Sequence, residues 1–319
     1  MKKKIAVLGG GISGVVAARE LSKKPDFEVD LFEKNFFLGG LHRSVRKKSR
    51  VFDIGPFIFW DPFELFEVFP LAKNYFFPVD LKAYSITPQG KYDQYPMSLK
   101  GYLKNNGPLV FLLSAFDLLF SKLKYKKRDN VRSYAKYHTG SLIYEKSGLR
   151  YYIERFYGLK DDEISLQFAE KRLNMINEFS PFKYFLKHVQ KRFFAQSLKN
   201  ERIPIVHSQD GFQSLYEHIK EQLELSGTTV TVGADLKQIR RHGEKFMLYV
   251  NGQKKDYHKI ISTIPIPAVL KLIGDDTQPG IKCIHLLSLF YIGIVKKRAS
   301  IIFNHTARGK WKKITVFSD

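Results

Sequence analysis

The sequence predicts an α/β fold in which a parallel-sheet domain is interrupted by an inserted, mainly helical α+β domain, and three observations predict it. A short apolar run, Ile5-Ala6-Val7-Leu8, passes directly into the turn Gly9-Gly10-Gly11-Ile12-Ser13-Gly14 and then into a helical pattern. That is the order of a buried parallel strand and its crossover. From Ile203 onward short β-branched runs return, whereas between about 82 and 202 the segments are long and of helical period. The division that follows gives 1–81 and 203–274 to the parallel-sheet domain, 82–202 to the insertion, and 275–319 to the start of a sheet belonging to the insertion.

The first helix presents Val15, Val16, Ala17, Ala18 and Leu21 as apolar positions, keeps Arg19, Glu20, Lys23 and Lys24 solvated, and ends before Pro25. The spacing Gly9-x-Gly11-x-x-Gly14 has a physical reason. The first glycine allows a tight turn, the second lets the backbone approach a pyrophosphate, and the third lets helix and strand pack closely. Phosphate would then rest on the helix N-terminus, where free N–H groups and the dipole favour negative charge. A second strand, Phe27–Phe32, ends at Glu33, nineteen residues past Gly14, where an acid accepts from ribose hydroxyls. Strand, turn, helix and acid in this order define a dinucleotide site.

Further along, Asp210-Gly211-Phe212-Gln213 reads as a capping box. A helix follows to about Leu225, with Leu215, Ile219 and Leu223 on one face. Strands are expected at Gly227–Val232, Ala234–Ile239, Lys245–Val250 and Asp256–Ser262, and again at Ile284–Ile294, Ser300–Asn304 and Trp311–Phe317. In the insertion, Pro108 opens a helix through Lys124 with Ser114, Asp117, Ser121 and Lys124 on one stripe and apolar residues elsewhere. Such a helix is either buried or lies in a membrane interface. Lys122, Lys124, Lys126, Lys127, Arg128, Arg132 and Lys136 then accompany a single acid, Asp129, as an anionic membrane surface would require. Asp161-Asp162-Glu163 reads as an acid patch at a helix start.

Composition bounds the partners. Of 319 residues 44% are hydrophobic, enough for a core, and 53 Lys and Arg against 31 Asp and Glu leave a net charge of +22. Much of that excess sits in three clusters, Arg43–Arg50, Lys122–Lys136 and Lys296–Lys313, which favours a local anionic surface or ligand over wrapping of nucleic acid. Basic and aromatic residues interleave at Tyr184–Phe194, but Phe182, Phe185, Leu186 and Val189 fit an amphipathic helix, so nucleic acid is disfavoured. The single cysteine, Cys283, excludes an intrachain disulfide framework and a cysteine-based zinc site, and agrees with a reducing cytoplasm. The histidines show no ligand spacing, so no metal is expected and they read as solvated or structural. Glycines interrupt the apolar run after Met1-Lys2-Lys3-Lys4, against a signal peptide, and no apolar run reaches the length of a bilayer span. A location in the cytoplasm, or on the inner face of the membrane, is the expectation.

After Glu33 come Lys34, the run Gly39-Gly40-Leu41-His42-Arg43-Ser44, and then Phe52-Asp53-Ile54-Gly55-Pro56. With these motifs the chain resembles the FAD-dependent amine oxidase superfamily, in particular its bacterial protoporphyrinogen-oxidase-like branch, with relatives among carotenoid desaturases and UDP-galactopyranose mutases. The resemblance implies a Rossmann-like FAD-binding domain with an inserted substrate domain. It also implies FAD as cofactor and flavin-mediated hydride transfer on a small-molecule substrate of amphiphilic or anionic character. Carried over by position, Gly9, Gly11, Ile12, Ser13 and Gly14 form the phosphate turn, and Glu33, followed by Lys34, binds the adenosine ribose. Gly39 and Gly40, followed by Leu41, pass the diphosphate. Arg43 lies toward the flavin end, the backbone of Gly55 and Pro56 approaches the isoalloxazine ring, and the backbone of Leu236 meets adenine.

Two departures stand out. Phe57 occupies a position where many relatives have histidine, and no residue matches a family motif for a catalytic base. The family also completes its flavin site with a segment near the C-terminus that is not found before Asp319, so a truncated member that holds FAD weakly or not at all is expected. The competing readings are a catalytically incompetent binding or membrane-associated remnant, a UDP-galactopyranose mutase-like flavoenzyme, and an NAD-dependent dehydrogenase. Against the last, the Gly-Gly-Leu-x-Arg-Ser run has no role in ordinary NAD domains.

Overall fold

The computed structural model describes residues 2–47, 50–55, 57–172, 203–207, 210–277, 280, 287–294 and 299–316. Pro56, Cys283, the 184–194 segment and Lys296–Arg298 therefore lie outside the described residues. The chain groups into two units, Met1–Asp80 with Glu201–Phe290, and Leu81–Asn200 with Tyr291–Asp319.

The chain begins with β1 (Lys3–Leu8), α1 (Ile12–Ser22), β2 (Phe27–Glu33), β3 (Ser44–Lys47), β4 (Arg50–Asp53), β5 (Phe59–Asp61), α2 (Leu65–Val68) and β6 (Phe76–Pro78). It continues with β7 (Ala83–Ile86), β8 (Tyr92–Gln94), α3 (Leu99–Lys124), α4 (Val131–Thr139), α5 (Ser141–Lys146), α6 (Leu149–Tyr157) and α7 (Leu166–Arg172). After β9 (Ile203–His207) come α8 (Phe212–Leu225), β10 (Thr229–Val232), β11 (Leu236–His242), β12 (Lys245–Val250), β13 (Gln253–Tyr257), β14 (Lys259–Ser262) and α9 (Ile266–Ile273). β15 (Ile301–Asn304) and β16 (Lys313–Thr315) follow.

The first unit is built on a parallel sheet of order β10-β2-β1-β14. Successive side chains of a strand point to opposite faces, and both faces here are apolar. Val7, Val29 and Leu31 join one cluster with Val15 and Ala18 of α1 and Leu215, Ile219 and Leu223 of α8. Ala6, Leu8 and Phe32 join the other, with Ile239, Leu248, Val250 and Tyr257 of the antiparallel sheet β11-β12-β13. The sheet is thus covered by helices on one side and by a second sheet on the other. Each fully buried Leu or Ile of these clusters contributes about 1.5–3 kcal/mol.

Three local expectations are corrected. The capping box at Asp210 does not form. Gly211 is the N-cap at φ +81°, no side chain of that segment caps the helix, and Gln213 bonds Glu217 instead. The Phe212 N–H is taken by Ser44 Oγ at 3.0 Å, because Gly211 packs so closely on Ser44 that a Cβ would lie 2.7 Å from it. The single strand expected at Asp256–Ser262 is two: β13 pairs antiparallel with β12, and β14 joins the parallel sheet beside β1. Residues 287–294 form no strand, and Leu287 and Ile294 are 84% and 98% exposed. An apolar run makes a strand only where a partner edge and a packing face receive it.

In the second unit a mixed sheet of order β16-β15-β7-β8 accompanies α3 to α7. Its helical core gathers Val131, Tyr134, Tyr144, Leu149, Tyr152, Ile153 and Ile164. Asp161, expected in an acid patch at a helix start, is fully buried. Arg132 donates to it through Nε at 2.8 Å and through a terminal nitrogen at 2.7 Å, and the Tyr144 hydroxyl donates at 2.8 Å. Burial alone would raise the Asp161 pKa, but these donors outweigh it and hold the carboxyl below its usual range.

α3 is broken at Gly107 (φ +84°), so that Pro108 opens its second half as expected. Of the polar stripe of that half, Ser114, Asp117 and Ser121 point inward and Lys124 is exposed. Ser114 and Ser121 are 1% and 2% exposed, and Asp117 Oδ2 accepts the Leu142 N–H at 2.8 Å. Of the basic cluster that follows, Arg132 is held by Asp161 and Asp162, and Lys136 by Glu145 at 3.6 Å.

Candidate dinucleotide site

The candidate site lies at the carboxyl ends of β1 and β2, where open α/β sheets receive ligands. Gly9 leaves β1 at φ +101°, and α1 begins at Ile12 with Gly11 as N-cap and no side-chain cap. The first-turn N–H groups, including those of Ile12 and Ser13, have no acceptor within their own helix, and the helix dipole favours an anion there. Gly14 is fixed by packing, since a Cβ would lie 1.8 Å from Gly9 O. Gly11 is different. Its φ of −72° and ψ of 177° suit any residue, and a Cβ would meet only Gly40 Cα, at 3.7 Å. Among the described residues, nothing requires glycine at 11.

A second glycine segment runs beside the first. Gly39 N–H donates to Gly10 O at 2.8 Å, and Gly39 pairs with Gly11 in a parallel bridge. Below both lies Glu33, 6% exposed. Its Oε2 accepts the Gly10 N–H at 2.7 Å, and its Oε1 accepts the Asn35 N–H at 2.9 Å and the Asn35 side-chain amide at 2.6 Å. The carboxylate braces the turn, and of its roughly four lone-pair positions these bonds use three. Lys34 beside it is exposed. Gly233 and Ala234 donate to Asn35 O and Glu33 O, each at 2.8 Å, which ties the start of β11 to the end of β2. Leu236, half-buried, stands where β11 bulges against β12.

Leu41, Arg43 and Gly55 come together on one surface beyond Gly40. Ile54 N–H donates to Arg43 O at 2.9 Å, and a Cβ on Gly55 would lie 1.9 Å from Leu41 O. Leu41 is 77% exposed, and the Arg43 guanidinium stacks 4.7 Å above the Phe37 ring.

Sequence reasoning missed two supports of this site. Thr263, at the end of β14, has its hydroxyl 2.9 Å from Leu8 O and 3.2 Å from Gly9 O, under the phosphate turn. The returning strand was legible, the contact was not. The other is a buried polar chain beneath the hairpin of β3 and β4. Ser44 Oγ donates to Asp53 Oδ1 at 2.7 Å, and His207 Nε2 donates to Asp53 Oδ2 at 2.6 Å. His207, read as a structural or solvated histidine, is thus a hydrogen-bond partner of Asp53 from β9. His42 Nδ1 lies 2.7 Å from the Tyr216 hydroxyl, and its ring stacks on Phe212. Burial, reinforced by His207 and opposed by Asp53, lowers the His42 pKa to about 4, so the ring is neutral at pH 7. Among the described residues no three His, Cys, Asp or Glu side chains form a metal-binding group.

The fold and the glycine cradle define the class: a dinucleotide-binding α/β protein. Residues 12–302 match the model of the flavin containing amine oxidoreductases, and the chain belongs to that family. The chain is a flavoprotein, and FAD is the cofactor of its family. It is similar to the 1-hydroxycarotenoid 3,4-desaturase of Flavobacterium sp. (strain P99-3), 26% identical over 200 residues, which are 54% of this chain and 38% of that protein. It is also similar to the 4,4'-diapophytoene desaturase (4,4'-diaponeurosporene-forming) of Staphylococcus aureus (strain bovine RF122 / ET3-1), 23% identical over 305 residues, 86% of this chain and 58% of that one. The chain therefore spans 38% and 58% of the length of these two relatives. Among solved structures, reduced UDP-galactopyranose mutase matches with a TM-score of 0.66 at 19% identity, covering 99% of this chain and 70% of that one. A protoporphyrinogen-oxidase-like protein from Exiguobacterium sp. 255-15 matches with a TM-score of 0.61 at 20% identity, covering 86% and 62%. At these identities the structures share the fold.

Proposed function

We propose that the chain binds FAD and serves an oxidoreductase that moves hydride to or from an unidentified amphiphilic or anionic small molecule. The flavin, when bound, supplies the redox chemistry. The observation that carries the reading is Gly11, a glycine that the protein's own packing does not need, set between a free helix N-terminus and a second glycine segment. In this reading the N–H groups of Ile12, Ser13 and Gly14 hold phosphate, while Glu33, followed by Lys34, orients ribose and keeps the turn in shape. Gly39, Gly40 and Leu41 flank the diphosphate, and the backbone of Leu236 meets adenine. Arg43 and the backbone of Gly55 border the flavin, and the Asp53–His207 pair fixes the hairpin of β3 and β4 between them to β9. The proposal also places the protein in the cytoplasm, peripherally attached to an anionic membrane.

The test is a titration of the purified chain with FAD, followed by flavin fluorescence and by the melting temperature. FAD is expected to raise the melting temperature of the wild type, and Gly11→Ala to abolish that rise while leaving the unliganded melting temperature in place. Equal FAD binding by wild type and Gly11→Ala would sink the assignment of the cradle. Preference for NAD over FAD would move the chain to the dehydrogenase reading.

A further inference from the structure

The second half of α3 is an amphipathic helix with its polarity reversed. Soluble proteins bury the apolar stripe of a helix and solvate the polar one. Here Ser114 and Ser121 are buried, with Leu118 the one apolar residue of this half buried beside them. Ser114 Oγ donates to Val110 O at 2.7 Å and meets the Tyr102 hydroxyl at 2.9 Å, while Ser121 Oγ meets Ser141 Oγ at 3.1 Å. The opposite side carries Leu109, Leu112, Leu113, Phe116, Leu119 and Phe120 at helical spacing, each 50–72% exposed. Leu123 continues the row at 78%. A continuous apolar surface of this size marks an interaction site.

We infer that this face is a lipid-binding surface, immersed in the plane of a bilayer rich in anionic headgroups. Charge selects the occupant. Lys100 and Lys104 stand exposed before the apolar row, and Lys124, Lys126 and Lys127 stand exposed at its far end. Lys100, Lys124, Lys126 and Lys127 enter no ion pair among the described residues. Aliphatic lysine stems extend along apolar surface while their ammonium groups reach the headgroup layer, and apolar insertion and attraction to anionic lipid add. A second copy of a chain with net charge +22 would bring the same lysines against each other, which disfavours the face as a self-association surface.

The helix lies in the interface and does not cross the membrane. By length and composition α3 passes for a span, but its straight part after Gly107 is about 25 Å long, short of the roughly 30 Å apolar layer. Its polar side is also tied to α5, through Asp117 to the Leu142 N–H and Ser121 to Ser141. Crossing would break these bonds, whereas lying flat keeps them and wets only the lysines. The proposal deepens the membrane part of the reading above and is independent of the redox part, because lipid binding needs no flavin.

The experiment is co-sedimentation of the full chain with vesicles of an equal mixture of phosphatidylcholine and phosphatidylglycerol, compared with vesicles of phosphatidylcholine alone. The wild type is expected to pellet with the anionic vesicles. Phe116→Glu should weaken binding by roughly thirtyfold or more, and Lys124→Gln, Lys126→Gln and Lys127→Gln by roughly fivefold each. These side chains are exposed, so the far-UV spectrum and melting temperature should stay at wild-type values. In Phe120→Trp, brominated lipid should quench the new indole on vesicle addition. Absence of both sedimentation and quenching overturns the proposal. So does sedimentation unaffected by Phe116→Glu, or a lipid-free dimer that Phe116→Glu dissociates, which would assign the face to a second copy. Flavin binding by the same samples reports on the redox reading separately.

Discussion

α8 and the second half of α3 are written in the same code and folded in opposite senses. α8 turns Leu215, Ile219 and Leu223 inward, all fully buried, and leaves its charged residues in water. The α3 half turns Ser114, Asp117 and Ser121 inward together with a single leucine, Leu118, and leaves Leu112, Phe116 and Phe120 outside. The difference teaches that a periodic pattern fixes which residues share a face, while the neighbours decide which face is covered. α8 lies on a parallel sheet whose side chains are apolar. The α3 half lies on the start of α5, which offers a backbone N–H at Leu142 and a hydroxyl at Ser141, and these are met by a carboxylate and a hydroxyl rather than by leucines.

The largest effect should come from the cradle side. Gly14→Ala places a Cβ 1.8 Å from Gly9 O and is expected to prevent folding of the first unit, seen as loss of its cooperative melting transition. Next, Arg132→Met leaves the Asp161 carboxylate buried without its cation. Breaking a buried pair in this way costs about 3–5 kcal/mol, measurable as a lower denaturant midpoint. A Leu215→Ala cavity in the α8 core should cost about 2–5 kcal/mol, whereas Phe116→Ser on the exposed α3 face should stay within about 0.5 kcal/mol of wild type. Equal losses at the two positions would erase the contrast between the helices.

Acid should reveal one buried histidine in each unit. Burial lowers the pKa of His42 to about 4, and burial likewise lowers that of His305, also to about 4, with Arg155 adding to the effect and a bond to Ser147 O opposing it. Unfolded histidines protonate from pH 6.5 downward and these two only near pH 4, so between those values the unfolded chain binds more protons. Stability therefore falls as pH drops from 6.5 to 4, by roughly 3 kcal/mol per histidine. A further loss follows below pH 3.8 as Asp161, whose pKa is depressed in the fold, is forced to protonate. Denaturation curves taken across pH 7 to 3 check the order. His42→Phe should flatten the first step by about half.

Much of the cradle was legible because it is local. Strand, glycine turn, helix and Glu33 lie within one stretch of about thirty residues, and a GxGxxG turn between a strand and a helix has few other uses. Leu215, Ile219 and Leu223 were equally legible from spacing. Contacts between residues far apart in sequence were not. Thr263 under Gly9, His207 on Asp53 and Ser44 at the N-terminus of α8 join segments more than 150 residues apart, and no periodicity announces them. The burial of Asp161 was hidden for a related reason: three acids in a row read as an acid patch at a helix start unless Arg132 and Tyr144 are known to converge on the first.

By itself the sequence determined the order of elements around the cradle, the glycines that a pyrophosphate needs, and the polar stripe of α3. Tertiary structure alone decided which way that stripe faces, that Glu33 braces the turn through Gly10 and Asn35, and that Gly11, unlike Gly14, owes nothing to packing. The physical reason is the same in each case. Backbone geometry and hydrophobic period are properties of neighbouring residues, whereas burial and hydrogen-bond partnership are properties of whatever the fold brings alongside.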